Sequence, residues 1–155
     1  MKIAALVTEL AKRGQTVAVA ESLTGGLLAS TLVDIPGVSK VFRGGLVVYA
    51  TELKASLAGV PERLLDDRGP VDPDVAIALA RGARQRCGAD WGVATTGVAG
   101  PDTQNGVAVG TVYVAVADGV RAEVQRLQFD GDRVAVRTAA VAAALDLLAR
   151  QVAQA

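Results

Sequence analysis

Residues 17–30, VAVAESLTGGLLAS, decide how this chain is read. Small β-forming residues run to Glu21-Ser22, cross Thr24-Gly25-Gly26, and resume as apolar residues spaced for a helix. Strand, glycine turn and helix together make the first unit of an α/β fold. The junction also carries two hydroxyls, Ser22 and Thr24, at the carboxyl end of a strand, where open α/β sheets bind ligands. Local physics offers two uses for it. Thr24 is a plausible N-cap for a helix starting at Gly25 or Gly26, which makes the stretch a capped turn. Alternatively, the unshielded Gly25 and Gly26 N–H groups meet an anion or an oxyanion. The spacing is neither G-x-G-x-x-G nor a Walker pattern.

Outward from this unit the same alternation continues. Upstream, IAALVTELAKRGQ puts Ile3, Leu6, Val7 and Leu10 on one helical face, with Arg13-Gly14 as its stop. Downstream, the helix after Gly26 ends near Ile35-Pro36-Gly37. GGLVVYA (44–50) reads as a second strand, TELKASLAGV as a short helix behind a Thr51 cap, and PERLLDDRG as further helical turns. DPDVAIALARGARQRCG is a helix with Asp72 as cap, Pro73 at its first position and Gly88 at its exit. WGVATTG is a third strand. VGTVYVAVA and VRAEVQRLQF form a hairpin joined at Asp118-Gly119, and an Ala-rich helix capped by Asp132 follows. The order predicts a three-layer α/β/α sandwich on a mixed β-sheet with a C-terminal hairpin and helix. No repeat or linker divides the chain, so residues 1–155 read as a single domain.

Composition narrows the chemistry. The 155 residues carry 16 Lys+Arg against 16 Asp+Glu, no histidine and one cysteine, Cys87. A zinc site built from His or Cys is excluded, and so is any Ser-His or Cys-His pair. An acyl- or phosphoryl-transfer base must be Lys, Asp, Glu or Tyr. Asp66, Asp67, Asp72 and Asp74 form no metal-site spacing, so no metal is assigned, and no cofactor either. Zero net charge and 3% aromatics count against direct nucleic-acid binding. No apolar run approaches the ~18 residues of a membrane span, and Met1-Lys2 leads into an amphipathic segment rather than a signal core. The expectation is a cytoplasmic protein with no membrane partner.

Three strand ends carry polar punctuation: ESLTGG, YATELK and TTGVAGPD. Side by side they would pool into one rim. Behind a Thr51 cap, Lys54 occupies the third helical position, where a capping box wants Glu or Gln and a cation opposes the helix dipole. Such rule-breaking positions are often functional. The dipole and burial would lower the Lys54 pKa and make its neutral amine a base; a solvent-facing lysine fits equally on sequence alone. Tyr49 reads either as an aromatic packed at a strand end or as a site residue. Arg133 and Arg137, four apart, could grip a phosphate or stand solvated. Ser22 with Lys54 makes a Ser–Lys pair, a variant suited to a chain without histidine.

The same motifs, AESLTGG, GGLVVYATELKASLAGV, TTGVAGPD with VGTVYVAVA, and GDRVAVR, in that order, resemble the C-terminal domain of the CinA family. The resemblance runs from about Val17 to Arg137. It implies a nicotinamide-nucleotide amidase of pyridine nucleotide salvage, converting nicotinamide mononucleotide to nicotinic acid mononucleotide and ammonia. It places Ser22 as nucleophile with Thr24 as its rival, Lys54 as base, and Tyr49 as a hydrogen-bonding assistant. Thr24 with the Gly25-Gly26 amides would hold the oxyanion, and Thr96, Gly97 and Ala99 would line the ring or ribose. Arg137 with Arg133 would meet the 5′-phosphate. A homodimer or larger assembly is implied. The alternative is a catalytically silent nucleotide-binding or protein-interaction module linked to competence and DNA damage. Two departures bear on substrate choice: Thr103-Gln104-Asn105-Gly106 where members often have a second Gly-Gly, and Asp72 where many have serine.

Overall fold

Strand residues alternate between two sizes, and that alternation builds the layers. The structure, a computed structural model, describes residues 2–155. Its elements are α1 (Ile3–Arg13), β1 (Val17–Glu21), α2 (Leu27–Val33), β2 (Phe42–Val47) after a 3₁₀ turn at Val38–Lys40, α3 (Thr51–Ser56) and α4 (Glu62–Arg68). Then come α5 (Pro73–Cys87), β3 (Trp91–Gly97), β4 (Thr111–Ala117), β5 (Ala122–Gln128) and α6 (Arg133–Gln154). The sheet order is β2-β1-β3-β4-β5. β1 pairs in parallel with β2 and β3, and the β4–β5 hairpin runs antiparallel beside β3. This is the mixed sheet expected, closed by hairpin and helix.

Because a strand shows alternate residues to opposite faces, β1 sends Val17 and Val19 to one core and Ala18 and Ala20 to the other. β4 does the same, with Val112, Val114 and Val116 opposite Ala115 and Ala117. The valine face packs on Leu6 and Leu10 of α1, Leu28 and Leu32 of α2, and the apolar face of α6. The alanine face packs on Val75, Ala76, Leu79, Ala80 and Ala83 of α5, with Leu65 of α4. With only methyl groups between, α5 lies almost on the sheet. A Cβ on Gly92 of β3 would sit 1.9 Å from the Ala80 carbonyl oxygen of α5. Only glycine permits that approach.

Helix ends follow the sequence in most places. Gly14 and Gly88 close α1 and α5 in the left-handed conformation, and the Asp72 and Asp132 side chains cap α5 and α6. Two local expectations are corrected. The N-cap of α3 is Ala50, without a side-chain cap, so Thr51 is its first residue and Lys54 its fourth. β2 covers Phe42–Val47 rather than 44–50. The hairpin turn is governed by Asp118: its N–H donates to Arg121 O, and its carboxylate accepts from the Val120 and Arg121 N–H groups. The hairpin thus turns at Asp118-Gly119 as expected, through an Asx-type turn over residues 118–121.

Candidate active site

The three parallel strands end side by side, and the connections leaving the neighbours β1 and β2 pass to opposite faces of the sheet, α2 on the valine face and α5 on the alanine face, making a topological switch point. The three polar segments meet there, as their positions in the sequence predict. They surround a cavity of about 360 Å³ whose lining includes Ser22, Tyr49, Lys54, Thr96, Ala99 and Arg133.

Lys54 is the centre of the geometry. It is 1% exposed, the largest of the fully buried side chains, so it is not the solvent-facing lysine sequence left open. Its Nζ lies 2.9 Å from Ser22 Oγ, 2.7 Å from the Val48 carbonyl oxygen and 3.3 Å from that of Tyr49. Burial lowers its pKa from 10.5 to about 8, opposed by the neighbouring Glu52 carboxylate. A neutral amine has two N–H groups and one lone pair. Two carbonyls occupy the N–H groups, which leaves the lone pair for the Ser22 hydroxyl proton. The cation opposing a helix dipole is therefore a consequence of α3 starting where β2 ends, which drops residue 54 onto the β1 turn.

The Ser22 turn is held by groups the sequence did not disclose. Consecutive left-handed glycines, Gly25 at φ 58° and Gly26 at φ 105°, fold the chain back from β1 into α2. Thr24 does not cap α2. Gly26 is the N-cap residue, with no side chain to offer, and the cap is the fully buried Glu21 carboxylate. Its oxygens accept from the Leu28 N–H at 2.8 Å and the Ala29 N–H at 3.0 Å. The Thr24 hydroxyl instead shares a hydrogen bond of 2.8 Å with Thr95 beneath the turn, and both residues are fully buried. The Ser22 N–H donates to the Thr95 carbonyl, tying the turn to β3.

The remaining candidates divide. Thr96, Gly97 and Ala99 line the cavity, with the Thr96 hydroxyl donating to Pro70 O at 2.6 Å. Gly97 has no room for a side chain, since a Cβ would lie 2.7 Å from Thr111 O. Tyr49 stands exposed at the rim, and its phenol accepts a hydrogen bond of 2.8 Å from Arg133, which also donates to Gly100 O. Arg133 therefore spans the cavity mouth. Arg137, Thr24, Gly25 and Gly26 are not part of the lining. Gly25 spends its N–H on Ser22 O at 3.1 Å. Arg137 bonds the carbonyls of Leu23 and Thr24. Of the departures, Thr103 and Gln104 line the cavity, whereas Asp72 caps α5 as a serine there would, and is bound by Arg68. No group of three or more His, Cys, Asp or Glu side chains that could hold a metal ion occurs among the described residues. No helix among them is long and apolar enough to cross a membrane. Cys87 is free and half-buried against the α5 core, as a packing residue would be.

Comparison with known proteins fits this geometry. A family model described as the CinA C-terminal domain matches residues 2–152. A CinA-like protein from Frankia casuarinae is 51% identical over 144 residues, covering 93% of this chain and 33% of that protein. Another from Geobacter sulfurreducens is 48% identical over 141 residues, covering 90% and 34%. The chain thus spans about a third of the length of the curated relatives it matches. Two solved structures superpose closely. A competence-damaged protein (CinA) superfamily protein from Escherichia coli has a TM-score of 0.92 at 32% identity, over 96% of this chain and 87% of that one. The competence/damage inducible protein CihA from Agrobacterium tumefaciens gives 0.90 at 34%, over 94% and 91%.

Proposed function

Because this chain belongs to the CinA C-terminal domain family, we propose that it hydrolyses the carboxamide of nicotinamide mononucleotide, releasing ammonia and nicotinic acid mononucleotide. The observation that carries this reading is the buried Ser22–Lys54 pair at 2.9 Å, with two main-chain carbonyls on the same amine. Ser22 Oγ attacks the carboxamide carbon while its proton passes to Lys54 Nζ. The ammonium so formed gives that proton to the departing nitrogen. Ammonia leaves, and the acyl group stays as an ester on Ser22. Water then attacks the ester, Lys54 takes its proton and returns it to Ser22, and the acid is freed.

The cavity supports a nucleotide-sized substrate, being within the usual range for small-molecule sites. Thr96, Gly97 and Ala99 bring main chain close to a planar ring, and Arg133 at the mouth is the phosphate ligand of this reading. Its bond to Tyr49 is exposed and exchangeable for a phosphate oxygen. Tyr49 then supports the mouth and not the reacting atoms.

Ammonia release from nicotinamide mononucleotide, with chelator present, tests the proposal on wild type, Ser22→Ala and Lys54→Met. Turnover by wild type alone is expected. Retained turnover in both variants refutes the mechanism. Ligand-induced stabilisation without ammonia from any protein would make the domain a nucleotide-binding module instead.

A further inference from the structure

On the valine face of the sheet two buried hydroxyls stand among apolar side chains. Alternation along β3 puts Thr95 on the side of Trp91 and Val93, and its neighbour on β4 is Val114. Its Oγ and the Thr24 Oγ share a hydrogen bond of 2.8 Å, and both residues are fully buried. Across β1 the register partner of Thr95 is Glu21, whose carboxylate caps α2 on this same face. Ser22 meets Lys54 on the other face, where α3 packs.

Thr95 touches the Ser22 turn twice. Its carbonyl accepts from the Ser22 N–H at 3.1 Å and its hydroxyl bonds Thr24, so one residue of β3 holds both ends of Ser22-Leu23-Thr24. Stability alone does not account for the hydroxyls. A bonded pair of buried hydroxyls adds little over two apolar groups of the same shape, and the surrounding face is built of such groups. What the pair adds is direction. A hydrogen bond weakens steeply away from its preferred angle, whereas an apolar contact is non-directional. Direction matters at this turn, because it keeps the Ser22 Oγ at 2.9 Å from Lys54 Nζ.

We propose that Thr95 is a positioning residue for the nucleophile, holding Ser22 through its carbonyl and Thr24 through its hydroxyl from the face of the sheet opposite Lys54. The inference rests on Ser22 being the nucleophile. Thr24, fully buried and outside the cavity lining, is the partner in this hold and neither a second nucleophile nor an oxyanion ligand. Arg137 steadies the same turn through the Leu23 and Thr24 carbonyls. Thr95 is itself outside the lining, so losing its hydroxyl leaves substrate binding in place and lets Ser22 drift out of line.

The experiment compares wild type, Thr95→Val, Thr24→Val, the double Val variant and Thr95→Ser in ammonia release from nicotinamide mononucleotide and in urea melts. Each single Val variant leaves one buried hydroxyl unpaired and melts earlier; the double variant, with both hydroxyls gone, recovers most of the midpoint. Activity is expected not to recover with it. In Thr95→Val and in the double variant kcat falls about ten- to a hundredfold with KM little changed, since a misplacement of about 1 Å costs up to ~10²-fold. Thr95→Ser keeps the hydroxyl and most of kcat. A double variant with wild-type kcat overturns the proposal, as does Thr95→Ser losing as much as Thr95→Val, or a loss expressed in KM. A second readout does not need the amidase reading: the labelling rate of Ser22 by a small fluorophosphonate, followed by intact mass with Ser22→Ala as the unlabelled control. There Ser22 Oγ bonds to phosphorus, fluoride leaves, and Lys54 takes the proton. Labelling slower by about tenfold or more in the double variant is expected, from the same misplacement. Equal rates, or no labelling of wild type, overturn the proposal. Labelling of wild type without ammonia release would sink the amidase reading while still judging Thr95. Should the double variant not fold, Thr95→Val against Thr95→Ser carries both comparisons.

Discussion

Raising the pH from 6 to 10 acts on Lys54 twice, once through activity and once through stability. Its pKa is about 8 in the fold and 10.5 ordinarily. Below pH 8 only the fraction of neutral amine can accept the Ser22 proton, so kcat/KM climbs about tenfold per pH unit and levels above 8. Stability follows with a definite sign. At pH 7 the amine is protonated in both folded and unfolded chains, and the fold bears the full cost of the buried charge. Between pH 8 and 10.5 the folded chain releases a proton that the unfolded chain keeps, so stability rises with pH across that window. At about 1.4 kcal/mol per pKa unit, the cost is about 3 kcal/mol at pH 7, most of it relieved by pH 10. Groups other than Lys54 titrate too, so the quantity to follow is the difference between wild type and Lys54→Met in urea melts. That difference should shift in favour of wild type by about 2 to 3 kcal/mol from pH 7 to pH 10. A flat difference, or a kcat/KM limb with its midpoint near 10, would refute the account of Lys54 as a base primed by burial.

Other substitutions probe the supports around it. Glu21→Gln replaces a carboxylate oxygen that accepts from α2 with an amide nitrogen that cannot; a loss of about 1–3 kcal/mol by chemical denaturation is expected, with kcat falling more than KM changes. Arg133→Ala should raise KM for nicotinamide mononucleotide by about ten- to a hundredfold, as a charge-assisted hydrogen bond is worth, leaving the riboside unaffected; equal effects on both substrates would count against a phosphate contact. Gly92→Ala forces a methyl against the Ala80 carbonyl and should cost about 3 kcal/mol in a urea melt, at the upper end for overpacking. An unchanged midpoint would mean α5 can lift off the sheet.

What the sequence discloses and what it hides divide by distance along the chain. The alternation in VAVA and VYVAVA is a period-2 signal, so strands and their two faces are legible within a few residues. The Asp72 and Asp132 caps, and Gly14 and Gly88, lie beside the ends they serve. Glu21 caps α2 from seven and eight residues upstream, across a turn, and no capping-box spacing reveals that. Thr24 sits where a cap is expected, but the glycine turn carries its hydroxyl inward to Thr95. Thr51 fails as a cap because α3 begins one residue earlier than expected. Lys54 was legible as an anomaly; its partners, Val48 O and Tyr49 O, were not, since carbonyls have no letter in the sequence. Arg137 shares a helix face with Arg133, and only the position of the Ser22 turn separates their uses.

The groups that hold the Lys54 amine belong to the main chain at Val48 and Tyr49. Their chemistry is the same whatever residues occupy those positions, provided the backbone path is kept. Substitution can remove Lys54 or Ser22, but no substitution deletes a carbonyl. The setting of the amine is thus inherited with the shape of the chain and not with its spelling. Lineages that drift at positions 48 and 49 keep the amine's surroundings, and a designer wishing to retune the base must bend the backbone or change its burial.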